Sequence, residues 1–171
     1  MTLDDIKTAI CNWISDKGEQ TLKLPTNSAA VPGRYFAVGI NHIGQYGTTT
    51  TPPPSEYGVN KRVAQYVATV VVHEVAGSGD KLREFRNDFG SEEFLQFVRK
   101  RFNTLNDGLD HAFSVWDIGD IVEETINDSD FYIQQYVVSF RLCFNDFIDD
   151  NKKRILSASG TIGPDDFYRQ L

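Results

Sequence analysis

A chain of 171 residues fits one domain better than two, since domains run to roughly 100–200 residues. Hydrophobic residues make up 40% of it, with 12 Phe, 7 Tyr and 2 Trp, so a packed core is available and wholesale disorder is excluded. The formal net charge of −7 argues against sequence-independent gripping of DNA, which draws on Lys and Arg to neutralise phosphates; it still allows a protein that lies near DNA without holding it.

Cys11 and Cys143 form neither a disulfide framework nor a metal-ligand pattern, and a reducing compartment is the default. No apolar run approaches the roughly 18 residues of a membrane-spanning helix. The first residues are acidic rather than basic and do not read as a signal peptide. Asn127-Asp128-Ser129 fits a glycosylation acceptor, which means little without secretion.

Residues 3–17 predict an amphipathic helix, because Leu3, Ile6, Ile10, Trp13 and Ile14 recur at three- and four-residue spacing. Thr2 is the expected N-cap and Gly18 the expected stop. Residues 19–33 read as loop. Arg34 to Tyr46 reads as a strand with glycine irregularities at Gly39 and Gly44. Residues 47–60 hold three successive prolines and read as an exposed connection, the tip of a long hairpin. Its return strand, 61–76, has Val67, Val71 and Val75 on one face and Ala68, Val70 and Val72 on the other.

Gly77-Ser78-Gly79 ends that strand, and Leu82, Phe85 and Phe89 mark a short helix closed by Gly90. Ser91 is the N-cap expected for the next helix, whose apolar face is Phe94, Leu95, Val98 and Phe102. Phe113 to Trp116 reads as a short strand, and 117–130 as polar, acidic loop with a turn of helix at most. Phe131 to Phe144 is the clearest strand, with Val138, Phe140, Leu142 and Phe144 alternating against Val137, Ser139, Arg141 and Cys143. Arg154 to Thr161 reads as a last strand, and 162–171 as a mobile or partner-bound tail. The expected fold class is α+β: one domain over 1–171, a mostly antiparallel sheet with a long hairpin, and helices packed on one face.

Catalytic patterns are weak. His73-Glu74 begins like a zinc-protease motif, but Gly77 stands where the second histidine is needed. Gly77-Ser78-Gly79-Asp80-Lys81 lacks the Walker spacing and reads as a strand-to-helix turn. His42, His73 and His111 sit in no triad context, and the two cysteines read as buried or half-buried residues, Cys11 of a helix and Cys143 of a strand. No catalytic residue, cofactor or metal is expected.

The acids are more informative. Asp107, Asp110, Asp117, Asp120, Glu123, Glu124, Asp128 and Asp130 occur with no intervening Lys or Arg. Calcium-loop spacing is absent. The stretch reads as a solvated acidic face or, more sharply, as a surface that repels DNA or docks a basic partner. Arg99-Lys100-Arg101 and Lys152-Lys153-Arg154 are small basic clusters.

In segment order the chain resembles the phage neck or tail terminator family. The resemblance is carried by 5–14 (DIKTAICNWI), 32–38 (PGRYFAV), 45–48 (QYGT), 65–70 (QYVATV) before Gly77, 119–122 (GDIV) and 136–141 (YVVSFR). It implies a small α+β virion protein, assembled in the host cytoplasm, that forms a ring, commonly a hexamer, at the top of the tail. Such a ring caps the tail tube, ends its elongation and meets the head-side connector or stopper. The implied partners are further copies of the chain, the tail tube protein, the tail sheath protein, and DNA passing the lumen without specific binding. No membrane is involved. The family carries no ligand residues over. The candidate assembly residues are the hairpin tip, Thr49, Thr50, Thr51, Pro52, Pro53, Pro54 and Ser55, and the acids above as lumen or docking surface. The alternatives are another neck component, such as a head-completion, stopper or tail-completion protein, a cellular adaptor, or a small enzyme with an unrecognised site.

Overall fold

Alternation at the end of the chain builds the middle of a sheet. The computed structural model describes residues 3–25, 32–50, 61–105, 112–128 and 131–149. Within them lie α1 (Leu3–Asp16), β1 (Thr21–Lys23), β2 (Tyr35–Thr50), β3 (Lys61–Val75), α2 (Asp80–Asp88), α3 (Glu92–Leu105), β4 (Phe113–Trp116), β5 (Val122–Asp128) and β6 (Phe131–Asp149). The strands form one sheet in the order β1-β2-β3-β6-β4, with β5 also on β6. The fold is α+β, as the sequence predicts. Thr2, the proline-rich 51–60 and the expected strand and tail at 154–171 lie outside the described residues. By its internal contacts the chain divides into two compact units. The larger, Met1–Tyr46 with Gln65–Asp146, holds the buried cluster; the outer ends of β2, β3 and β6 belong to the smaller.

Strand directions follow from contacts. Ala76 N donates to Gln134 O at 3.1 Å, and ten residues earlier Tyr66 stacks on Phe144, ten residues later, so β3 and β6 are antiparallel. Gly39 lies against the Val71 carbonyl while Tyr46 shares a cleft with Gln65 and Tyr66, so β2 and β3 are antiparallel as well. The exception is β1, which runs parallel to β2 with Thr21 opposite Phe36. That strand falls inside the 19–33 segment expected to be loop. Three residues are too few for a period to show, and β1 is held by Leu24 N donating to Val38 O and Phe36 N to Gln20 O, both at 2.8 Å.

All three helices cover one face. Ile6, Ile10, Trp13 and Ile14 of α1, Leu82 and Phe85 of α2, and Phe94 and Val98 of α3 are buried against Phe36, Val38, Val70, Val72, Val138 and Phe140. Edge-to-face rings knit the layers: Trp13 meets Phe94 at 5.5 Å and Phe36 meets Phe85 at 5.1 Å, while Phe89 tilts against Phe140 at 4.7 Å. Each such side chain, fully buried, contributes about 1.5–3 kcal/mol over leaving it exposed. The helix ends also match expectation. Gly18 (φ 88°) stops α1, and Ser91 Oγ accepts Phe94 N–H at 3.2 Å to cap α3.

The acidic segment departs from its reading as loop. Val122–Asp128 is the strand β5, paired antiparallel with β6 from Val122↔Val137 to Asp128↔Phe131. Its sequence, VEETIND, shows no alternation, because an edge strand is held by backbone hydrogen bonds and needs no apolar face of its own. Strand β4 pairs with the same β6, ending at Trp116↔Arg141. Between the two pairings five residues, 117–121, face three, 138–140, so the β4–β5 edge bulges. Gly119 N donates to Ser139 O at 2.8 Å in the bulge, and Ile118 and Ile121 turn inward against the core.

Candidate interaction surface

The sheet face away from the helices is buried at Ala37, Val71, Val75 and Gln135 and open at Ile43, Ser139 and Arg141. Toward the β4 edge it carries two large exposed aromatics, Tyr46 (56% exposed) and Trp116 (42%). They belong to β2 and β4, with β3 and β6 between them. Strands spaced about 4.8 Å apart would set their backbones roughly 14 Å apart in a flat sheet. Their ring centroids nevertheless lie 5.6 Å apart, edge to face, so the side chains lean inward over the intervening strands.

The pair divides two clefts. One, of 280 Å³, lies beside Tyr46, Gln65, Val67, Ser114, Trp116 and Asn145. On the opposite, helix-side face of the same strands Tyr66 stacks on Phe144 at 5.8 Å. The other, of 350 Å³, is lined by Gln45, Val67, Thr69 and Arg141 beside the same two rings. Arg141 lies in an ion pair, 3.1 Å from Asp117.

The predicted acidic surface is only partly brought together. Asp107, Asp110 and Asp130 lie outside the described residues, and of Asp128 the strand backbone is described. The other four line the β4–β5 edge, and distant arginines answer two of them. Arg141 pairs with Asp117, and Arg86 of α2 pairs with Asp120 at 3.3 Å. Glu123 and Glu124 instead accept hydrogen bonds from neutral amides, Gln134 Nε2 at 2.6 Å and Gln135 Nε2 at 2.7 Å. Their charges are thus the ones left unbalanced by a cation among the described residues. Of the predicted hairpin tip, Thr49 and Thr50 end β2, and Thr51, Pro52, Pro53, Pro54 and Ser55 lie outside the described residues.

The segment 73–82 does structural chemistry that its sequence does not announce. Glu74 is fully buried, and its Oε2 accepts the Leu82 N–H at 3.0 Å, capping α2 from the preceding strand. Gly79, with φ 79°, makes the turn, and a Cβ there would sit 2.8 Å from the Tyr136 ring. Among the described residues no cluster of His, Cys, Asp and Glu has metal-binding geometry. Both cysteines are free thiols. Burial pushes Cys11 up to about 11, against the opposing effect of Thr21. Burial also raises Cys143, against a hydrogen bond from Ser114. Neither is an activated nucleophile. No helix among the described residues is long and apolar enough to cross a membrane.

Sequence reasoning missed the Tyr46–Trp116 pair and the Glu74 cap. The exposed aromatics gave no signal, since nothing local links two residues 70 positions apart. Compared with protein-family models and with curated proteins, the chain matches none.

Proposed function

We propose that the chain is a structural protein of a phage neck, a tail terminator that assembles as a ring on the tail tube, ends its growth and presents it to the head-side connector. The observation that carries the reading is the placement of the resembling segments. They fall on α1, β2, β3, the 117–121 bulge with the first residue of β5, and β6, and all but residues 47–48 lie in the larger unit. An α+β domain with helices on one face leaves the other face and the sheet edges for contacts between copies, and a ring needs two unlike surfaces to meet. In this reading Glu123 and Glu124 supply the negative charge past which DNA slides, and Asp117 and Asp120 contribute less because arginines answer them.

Electron microscopy of the purified protein mixed with purified phage tail tubes tests the proposal. A single ring at one tube end is the expected result. Binding to connector-bearing heads and not to tubes would reassign the chain to a head-completion or stopper role. Association with neither would overturn the neck reading.

A further inference from the structure

We infer that the open sheet face at Tyr46 and Trp116 is the docking site for the proline-rich segment 51–57 (TPPPSEY) of a second copy of this chain. The inference deepens the ring reading, and rests on it for the assembly served, by naming two unlike surfaces that meet.

The face has the chemistry that takes proline. Two large rings stand open on it, edge to face at 5.6 Å, with Val67, Thr69 and Arg141 alongside. Clefts of 280 and 350 Å³ flank the rings. Because the rings already hold each other, they lose little freedom when covered. Proline-rich segments dock on exposed aromatics of this kind, since their extended left-handed helix is preset and their ring nitrogens carry no N–H that needs a partner.

The chain supplies such a segment itself. Pro52, Pro53 and Pro54 lie outside the described residues, so only their sequence enters. Successive prolines hold φ at about −65° and favour the left-handed extended helix. In that helix residues three apart share a side at a spacing of about 9 Å, which groups Pro53 with Glu56. Glu56 is the one charged residue in 47–60, and Arg141 is the one charged residue lining the two clefts among the described residues. Arg141 stands beside Trp116 in the strand register, so a proline laid on the rings brings Glu56 toward its guanidinium. The existing pair of Arg141 with Asp117 is solvent-exposed on both sides and leaves N–H donors for a second carboxylate. Tyr46 to Thr50 is extended strand, which carries the start of the segment away from its own chain's rings and toward those of a neighbour.

A blocked peptide of residues 49–58 (TTTPPPSEYG) tests the contact on the full-length chain with no tail tube present, so this result and the tube result can fail separately. Trp116 is the exposed tryptophan and Trp13 the buried one, so tryptophan emission reports the face. A saturable change is expected, with binding about tenfold weaker for the same peptide carrying serine at its three proline positions. Labelled peptide should lose about tenfold in affinity for Trp116→Ala and for Tyr46→Ala, and Arg141→Gln should flatten the salt dependence. Circular dichroism checks that each variant folds, and the serine peptide keeps the test decisive where a ring variant does not.

Sedimentation then tests the second copy. The intact chain should associate as its concentration passes the peptide's Kd. Trp116→Ala keeps the segment and loses the face, while Pro52→Ser, Pro53→Ser and Pro54→Ser together keep the face and lose the segment. Each variant alone should stay monomeric, and an equal mixture should form pairs and stop there, because one segment and one face remain. No saturable change, equal binding of the two peptides, unchanged affinity in the folded ring variants, or an intact chain that stays monomeric well above the peptide's Kd overturns the proposal. So does peptide binding by the triple-serine chain that the intact chain resists at every concentration, which would put the segment on its own chain's face.

Discussion

Glu74 and Gly77 are fitted to each other: a Cβ at position 77 would lie 2.0 Å from Glu74 Oε1 and 2.6 Å from its Cδ. Glu74 cannot swing away, because its other oxygen holds the Leu82 N–H and the residue is fully buried. The pair locks the end of β3 to the start of α2, and so sets where Leu82 and Phe85 enter the core.

Substitutions here should therefore be costly. Gly77→Ala should lose about 1–3 kcal/mol through overpacking. Glu74→Ala should lose about 2–4 kcal/mol, since it strands the Leu82 N–H and opens a cavity. Glu74→Gln keeps an acceptor for that N–H and gives up the charge at the helix N-terminus, so its loss should be smaller, about 1 kcal/mol. Urea unfolding of the three variants checks the order. Equal losses for Glu74→Gln and Glu74→Ala would show that the cap is not what matters.

Arg86 offers a sharper contrast between a backbone tie and an exposed ion pair. Its Nε donates to Gly119 O at 2.7 Å, and its Nη2 reaches Asp120, which is 98% exposed. The first contact anchors the bulge to α2. The second is screened by solvent and contributes little. Arg86→Ala should cost about 1–2 kcal/mol and speed amide exchange at Gly119. Asp120→Asn should be close to neutral, and Arg86→Lys should not rescue, because a lysine lacks the planar fork. A larger effect at Asp120 than at Arg86 would reverse the assignment.

The helices and the long strands were legible because burial leaves a period. Val138, Phe140, Leu142 and Phe144 alternate since only one face of β6 meets the helices, and the Leu82, Phe85 and Phe89 spacing is the buried stripe of α2 and its C-cap. Val122–Asp128 was not legible, since an edge strand is placed by the backbone of its neighbour and its side chains are free to be polar. Thr21–Lys23 was too short. In sequence the acids between Asp117 and Glu124 are a charged run. Their partners, Arg86 and Arg141, stand on other elements, and a linear reading sees charge density without the folded pairs. In the linear sequence Glu74 looks like half of an incomplete metal motif for the same reason: its partner is an amide eight residues on, brought back by the turn at Gly79.

The two thiols should differ in reactivity. Cys11 is buried in α1 with its Sγ toward Leu22 O, and burial holds its thiol at about 11, so little thiolate exists near neutral pH. Cys143 is less enclosed and its thiol is raised too, by burial again. Both labelling rates should climb with pH, because the reactive species is the thiolate and raised values put it on the alkaline side. In the native protein a disulfide-exchange reagent should modify Cys143 slowly and leave Cys11 untouched until denaturant is added. Mass mapping of the labelled peptides decides it. Fast native labelling of Cys11 would contradict the burial.

Deleting Thr49 to Ser55 separates folding from assembly. Thr49 and Thr50 end β2, past the part of the strand that carries Phe36 and Val38, and the buried cluster from Ile6 to Phe144 lies within the larger unit. Removing the segment takes away no buried member of that cluster. The unfolding transition of the larger unit should therefore stay within about 1 kcal/mol of the intact chain, the range for changes that leave the core alone. Under the neck reading, in which Thr49 to Ser55 are the assembly contacts, the same deletion should leave a folded protein that fails to join virions. Particle composition after complementation with the deleted chain is the measurement. Normal incorporation would remove the tip from the assembly contacts and throw weight onto the sheet face that bears Tyr46 and Trp116.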